Sequence, residues 1–329
     1  MARMVKDLYR LHSLLPAVIL GLLWTPLAFA QGEPEVLPLQ ATDGFPLQMT
    51  YYPALASANP NGIENAPVVL LLHGEKGRRL DWDKGSALAG RDPLPKLLQE
   101  KGGYAVVTLD LRKHGDSIVP GRAGDTVQPN DYLAMVAGDL AAVKNFLFEQ
   151  HQAKKLNMSK LGIVATDFSV PLALGFAELD WKQVPYDDSP VPATRTPRGQ
   201  DVRALVLISP ELTAGRVNGA RSLNYLKNPG LAIAFMFIAG DQDAASLKNA
   251  KTFYQSATSI PRPAPVEEGP DAMSPSVQLV TANTKDAGVP LLVKTSSVTL
   301  VPMLKFLDDY VKNSPVASEW RDRRSRLER

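Results

Sequence analysis

The chain of 329 residues contains no cysteine and only four histidines. Without cysteine there is no disulfide framework, no thiol nucleophile and no cysteine-ligated zinc or iron–sulfur centre. So few imidazoles argue against a histidine-rich metal centre, and no metal site is predicted. The histidines stand at positions 12, 73, 114 and 151, so the segment 152–329 contains none.

The first 30 residues have the pattern of a signal peptide. Three basic residues, Arg3, Lys6 and Arg10, precede an apolar stretch over 14–30 that ends in Ala28-Phe29-Ala30. The stretch is shorter than a comfortable membrane span and ends in the small residues that signal peptidases cut. We predict Sec-type export to the periplasm or the exterior, cleavage after Ala30 and no membrane span in the mature chain. An uncleaved signal anchor is the alternative.

Cleavage at this position leaves a chain without net charge. It removes three basic and one acidic residue from totals of 36 and 34, and so leaves 33 of each. This balance argues against electrostatic binding of nucleic acid, which needs a clustered positive surface. The local exception is the end of the chain, 320–329, with five arginines against Asp322 and Glu328. We interpret it as a solvated helix end, with attachment to phosphate or a membrane surface as the alternative.

Strand and helix patterns alternate along most of the chain. A spacer over 31–38 precedes one domain expected over 39–313, and a basic tail over 314–329 follows it. Extended sequence near 39–52, interrupted by Asp43-Gly44, predicts an antiparallel hairpin. Further strands are predicted at 68–72, 104–109, 161–165, 204–208, 232–239 and 277–281, and helices at 92–101, 131–150, 169–179 and 301–312. The order predicts a doubly wound, mostly parallel α/β sheet with helices on both faces.

Two proline-dense segments, 184–197 and 260–275, lie between these elements and are predicted to be surface insertions. Ligands of open α/β sheets bind at the carboxyl ends of the strands. The loops of interest are therefore those that begin at His73-Gly74, at Asp110 and at Ala165. None of them carries a G-x-G-x-x-G or P-loop pattern, so no nucleotide cofactor is predicted.

Five segments in this order resemble the α/β-hydrolase superfamily, with a scaffold similar to serine esterases and lysophospholipases. They are VVLLLHG at 68–74, GYAVVTLDLRKHGDS at 103–117, LGIVATDFSVPLAL at 161–174, LVLISP at 205–210 and FIAGDQD at 237–243. The resemblance implies an α/β-hydrolase fold. Within the second segment, Lys113 stands where the superfamily has glycine.

The resemblance also implies a nucleophile on the turn Ala165-Thr166-Asp167-Phe168-Ser169. This turn keeps the superfamily's small flanking residues but has Asp167 in place of serine. Members resembling haloalkane dehalogenases and epoxide hydrolases attack with an aspartate, so Asp167 is the candidate nucleophile. Asp243 matches the position of the superfamily's acid. The backbone N–H groups of Glu75 and Phe168 are the candidate oxyanion hole, and His73, Gly74 and His114 are expected to border the cleft.

The superfamily's catalytic histidine has no counterpart. It follows the last strand, and the corresponding segment 281–291 contains none. Lys285 is the candidate substitute. We expect it to form an ion-pair cluster with Asp167 and Asp243, and the alternative is that it acts as the base. His73 is expected to shape its loop, and His151 to be exposed at a helix end.

Two functions follow from these residues. The first is an exported protein with a degenerate triad that binds an unidentified small molecule or protein in its cleft. The alternative is an active hydrolase of ester, epoxide or carbon–halogen bonds that uses Asp167 with an unconventional base.

Overall fold

The computed structural model describes residues 32–83, 92–122, 124–262 and 272–328. The predicted signal peptide and the centre of the second proline-dense segment lie outside this part of the chain. The strands are β1 (Glu35–Gln40), β2 (Pro46–Tyr52), β3 (Val68–Leu72), β4 (Ala105–Asp110), β5 (Leu161–Thr166), β6 (Val202–Ile208), β7 (Thr213–Ala214), β8 (Val217–Asn218), β9 (Ala234–Gly240) and β10 (Val277–Ala282). The helices are α1 (Leu94–Leu97), α2 (Pro129–Ala134), α3 (Leu140–Gln152), α4 (Ser169–Trp181), α5 (Gly219–Leu226), α6 (Ala244–Thr258), α7 (Gly288–Lys294) and α8 (Leu300–Leu307).

Eight of the described strands form one sheet in the order β1-β2-β4-β3-β5-β6-β9-β10. β2 is antiparallel to both of its neighbours, and every pair from β4 to β10 is parallel. The central strands are apolar at nearly every position because both faces are covered, and the buried side chains form one cluster on each face. The predicted doubly wound α/β sheet with an antiparallel N-terminal hairpin is confirmed.

The first strand begins earlier than expected, at Glu35 within the predicted spacer. Leu37 and Leu39 are partly buried against the core and alternate with exposed neighbours, as in a strand with one covered face. Pro38 is tolerated because β1 is an edge strand, where a missing backbone donor breaks no ladder.

The helix predicted over 131–150 is instead a compound element. α2 and α3 are joined by a π-helical turn, Met135–Asp139, which adds a residue per turn and rotates the following side chains. At its end Asp139 accepts hydrogen bonds from the backbone N–H and the Nε of Arg112, both at 2.9 Å. The π turn therefore anchors the loop that follows β4.

The basic tail is not a solvated helix end. Residues 314–328, called the strap below, have no helix and lie against the domain. Arg323, whose side chain is 3% exposed, pairs with Asp201 at 2.6 Å. Trp320 donates its indole N–H to the carbonyl of His151 at 2.7 Å. The partners are more than a hundred residues away in sequence, which is why charge pattern alone gave the wrong interpretation.

The strap also buries His151, which was predicted to be exposed. Its Nε2 lies 2.8 Å from the carbonyl of Arg321, and its Nδ1 accepts the N–H of Met158 at 3.2 Å. Since Nδ1 accepts, Nε2 carries the proton and donates. Burial lowers the pKa of this imidazole. His151 is thus a neutral structural residue.

Among the described helices, none has the length and apolar character needed to cross a bilayer.

Candidate functional site

Asp167 lies on the tight turn that joins β5 to α4. Its φ of +50° is a left-handed conformation, which aspartate adopts more readily than most residues with a side chain. The backbone fixes this turn, because the N–H of Asp167 donates to the carbonyl of Ile208 at 3.0 Å and the N–H of Val170 donates to the carbonyl of Asp167 at 3.1 Å. The turn holds the side chain at the carboxyl end of the parallel strands.

The Asp167 carboxylate borders a pocket of about 290 Å³, called the elbow pocket below. Three segments line it: the loop 74–81 after β3, the turn itself, and residues 287–290 at the start of α7. A Cβ atom at Gly74 would collide with the carboxylate, and one at Gly288 would lie 3.3 Å from it. Both glycines are therefore needed for close approach, and Gly288 also has a φ of +59°.

The electrostatic surroundings of Asp167 are acidic. Burial is the main cause that raises the pKa of its carboxyl to about 7, and the negative charges of Glu211, Asp243 and Glu75 raise it further. No described side chain donates a hydrogen bond to this carboxylate. The group is consequently about half protonated at neutral pH, which is unusual for an aspartate and typical of functional sites.

The two other residues assigned to a degenerate triad, Asp243 and Lys285, have other roles. Asp243 caps α6, where its carboxylate accepts the backbone N–H of Ser246 at 3.2 Å. Lys285 is exposed, and within the described residues it forms no ion pair with Asp167 or Asp243. The expected ion-pair cluster is wrong: the lysine extends to solvent, and three carboxylates, not a cation, act on Asp167.

His73 is fully buried and is held by both ring nitrogens. Nε2 accepts the backbone N–H of Leu111 at 3.2 Å, so Nδ1 carries the proton and donates to the carbonyl of Gly74 at 2.8 Å. Burial lowers the pKa of His73 to about 4. The ring ties the loop after β3 to the loop after β4 and stays neutral, in agreement with its expected role in loop shape.

His114 borders the turn without engaging its carboxylate. Its Nδ1 lies 2.9 Å from the carbonyl of Arg112, and its ring stacks on Phe168 with centroids 5.3 Å apart. No described hydrogen bond or ion pair joins it to Asp167. The N–H groups of Phe168 and Glu75 have no acceptor among the described residues, and their assignment as an oxyanion hole stays a prediction.

The loop after β4 carries a buried ionic network. Asp110, with no exposed side-chain surface, pairs with Arg79, which also pairs with Asp116 at 2.6 Å. Lys113, which replaces the superfamily's glycine, keeps a φ of +64° and is held by Asp131 at 2.8 Å. The substitution thus preserves the backbone path that glycine adopts without strain.

Sequence reasoning missed two residues that shape the elbow pocket. Glu211 follows β6 and acts on Asp167 through its charge, and it could have been found by applying the same strand-end rule. Ser209, directly after β6, has a φ of +48° and accepts the N–H of Gly288 at 2.9 Å. It fixes the start of α7 beside Asp167. Ser169, the last residue of the turn, is buried and its hydroxyl donates to the carbonyl of His73, so this hydroxyl has a structural role.

The strand order and the strand-to-helix turn define a protein with the α/β-hydrolase fold. Solved structures of that fold are similar over most of the chain. An esterase of Pyrococcus furiosus has 14% identity and a TM-score of 0.55, covering 85% of this chain and 91% of its own. A dienelactone hydrolase of Anabaena variabilis has 12% identity and a TM-score of 0.54, covering 85% and 99%.

A third similar structure, an acylaminoacyl peptidase of Pyrococcus horikoshii, has 12% identity and a TM-score of 0.54, covering 87% of this chain and 42% of its own. No protein-family profile and no curated protein sequence matches the chain. At such low identity the similarity establishes the fold, and function must be argued from the residues of the site.

The raised pKa of Asp167 predicts a stability effect with a definite sign. An unfolded aspartate loses its proton near pH 4 and the folded one near 7, so the free energy of unfolding falls as the pH rises between these values. Asparagine has the same shape, tolerates the left-handed backbone and never ionises. We expect Asp167→Asn to raise the free energy of unfolding by about 3 kcal/mol at pH 8, and by less at pH 5.

Urea unfolding of the two proteins at both pH values measures this difference. The matched control is Asp187→Asn, at an exposed aspartate that pairs with Arg195 at 2.6 Å. The free energy of unfolding of the control should differ from that of the wild type by the same amount at both pH values. An equal effect of Asp167→Asn at pH 5 and pH 8 would contradict the assignment.

Proposed function

We propose that this protein is an exported, non-catalytic member of the α/β-hydrolase fold, and that its elbow pocket binds a ligand without hydrolysing it. One observation carries the proposal: the carboxyl group at the nucleophile position is surrounded by carboxylates, and no described imidazole or amine contacts it. A base is needed to activate the water that releases an ester intermediate.

The histidines of the described domain support this view. His73 and His151 each use one ring nitrogen as an acceptor and the other as a donor to backbone groups, and His114 uses Nδ1 toward a carbonyl. This arrangement makes His73 and His151 structural and directs one nitrogen of His114 to a backbone carbonyl. A protein that lacks a working triad keeps only the residual ~10³–10⁴-fold rate that binding and an oxyanion hole supply.

The catalytic half of the proposal is tested with a substrate panel. We expect the mature protein to hydrolyse short-chain p-nitrophenyl esters, lactones, epoxides and haloalkanes no faster than its Asp167→Ala variant, because no described imidazole or amine contacts Asp167 to activate a water molecule there. Asp187→Asn serves as the matched control. Turnover present in the wild type and control but lost in Asp167→Ala would establish the alternative, an active hydrolase with Asp167 as nucleophile, and mass spectrometry would then locate the covalent adduct.

The charge around Asp167 also favours one chemistry of ligand. Glu75, Asp81 and Asp167 line the elbow pocket, and Glu211 and Asp243 add to its negative potential. This negative potential makes the binding of a small cation more favourable, and the effect is larger once Asp167 has lost its proton. We therefore propose a small ligand, or an exposed group of a protein, that carries a positive charge.

Choline is a suitable probe because its charge does not change with pH. Its affinity is expected to rise about tenfold from pH 6 to pH 8, as Asp167 ionises with a pKa of about 7. The uncharged alcohol in which carbon replaces the choline nitrogen should bind weakly and show no such rise. Calorimetric titration measures both, and Asp167→Asn should remove the pH dependence. A rise that persists in this variant would exclude Asp167 as the responsible group.

Export is supported by the basic residues and apolar stretch of residues 1–30. We expect mass spectrometry of the protein from a secretion-competent bacterial host to find a mature chain that begins at Gln31, in the soluble extracytoplasmic fraction. Ala28→Leu, which puts a large residue at the cleavage motif, should leave the precursor uncut. A wild-type chain that still begins at Met1 in the membrane fraction would support the signal-anchor alternative.

A further inference from the structure

A second, larger cavity lies against the helices α3 and α4 and does not include Asp167. It has a volume of about 400 Å³ and is bordered by α3, α4, the loop after α4 and the strap; we call it the strap cavity. The two cavities share no lining residue, and the first residue of α4 that lines the strap cavity, Phe176, is nine residues after Asp167, about 13 Å along the helix axis. The strap cavity is therefore distinct from the site of the proposed function.

The side walls of the strap cavity are apolar. Phe148 of α3 and Phe176 and Leu179 of α4 line it, together with Met158. Leu179 is 45% exposed although it belongs to a helix that packs on the core. Apolar surface of this kind inside a concave site favours an apolar group of a ligand.

The floor of the strap cavity is a closed ionic network. Lys144 pairs with Asp180 and, at 3.4 Å, with Asp201, which in turn pairs with Arg323 at 2.6 Å. Both aspartate side chains are buried, at 0% and 1% exposure. Two cations and two carboxylates balance one another, so the floor attracts neither sign of charge strongly.

The mouth carries a cation that this network does not neutralise. Arg198 is exposed, and its guanidinium lies over the ring of Tyr186, 5.0 Å from the centroid. No described carboxylate forms an ion pair with it. Arg323 of the strap fixes the backbone on both sides of Arg198, because it donates to the carbonyls of Pro197 at 2.9 Å and Gly199 at 3.3 Å. The strap therefore positions a free cation at the rim of an apolar cavity.

We propose that the strap cavity binds a small amphipathic carboxylate. Its hydrocarbon part lies against Phe148, Phe176 and Leu179, and its carboxylate accepts hydrogen bonds from the Arg198 guanidinium, the group best shaped for bidentate recognition. Charge complementarity selects this occupant: the cavity side chains hold three cations and one carboxylate, and Asp201 behind the wall balances one of these cations.

Octanoate and octanol are a matched pair of probes, alike in chain and different in charge. Calorimetric titration of the full chain at pH 8 should show octanoate binding at about millimolar affinity or tighter, and octanol about tenfold more weakly. Arg198→Gln should lower the affinity for octanoate by about tenfold and leave the affinity for octanol unchanged. Leu179→Gln should lower the affinity for both probes, because both place their hydrocarbon chain against this leucine.

Exposed Arg216→Gln is the matched control and should bind octanoate like the wild type, as should Asp167→Asn, whose site is the elbow pocket. Arg198 and Leu179 are both exposed, so their variants should keep the wild-type urea midpoint. Absence of octanoate binding, equal affinity for octanol, or undiminished affinity in Arg198→Gln would each overturn the proposal.

Discussion

The backbone of Asp167 is constrained to a positive φ by two hydrogen bonds, one given to the end of β6 and one received from α4. This constraint aims the side chain over the carboxyl ends of the parallel strands, the edge where open α/β sheets bind ligands. The neighbouring loops then have to admit a carboxylate at short range, which requires glycine at Gly74 and Gly288. The elbow pocket exists because this one turn is tight.

The same turn places a charge where water is scarce. Burial and three neighbouring carboxylates raise the pKa of Asp167 to about 7. In a hydrolase the negative charge of such a carboxylate is balanced by a nearby imidazole. In this protein the described histidines instead bind backbone groups. An ionised carboxyl in this position lowers the stability of the fold, and under the proposed function a bound cationic ligand would offset that loss.

Local patterns predicted the architecture well. The all-apolar runs at 68–72 and 161–165 are strands because a strand covered on both faces needs apolar residues at every position. The resemblance to the α/β-hydrolase superfamily pointed to Asp167, and the strand-end rule for open α/β sheets pointed to the loop after β4. The wrong predictions concerned long-range contacts: His151 is buried by the strap, and Lys285 pairs with neither aspartate, because no local pattern encodes which side chains meet across 40 or more residues of sequence.

The sequence by itself determined the alternation of strands and helices and the absence of any histidine after position 151, because these follow from residue type and period. Its resemblance to the α/β-hydrolase superfamily identified the aspartate at the turn. The tertiary structure decided the rest: which ring nitrogens are occupied, which carboxylates raise the pKa of Asp167, and how the strap closes a second cavity. Burial and charge interaction depend on distances through space, and those are set when the chain folds.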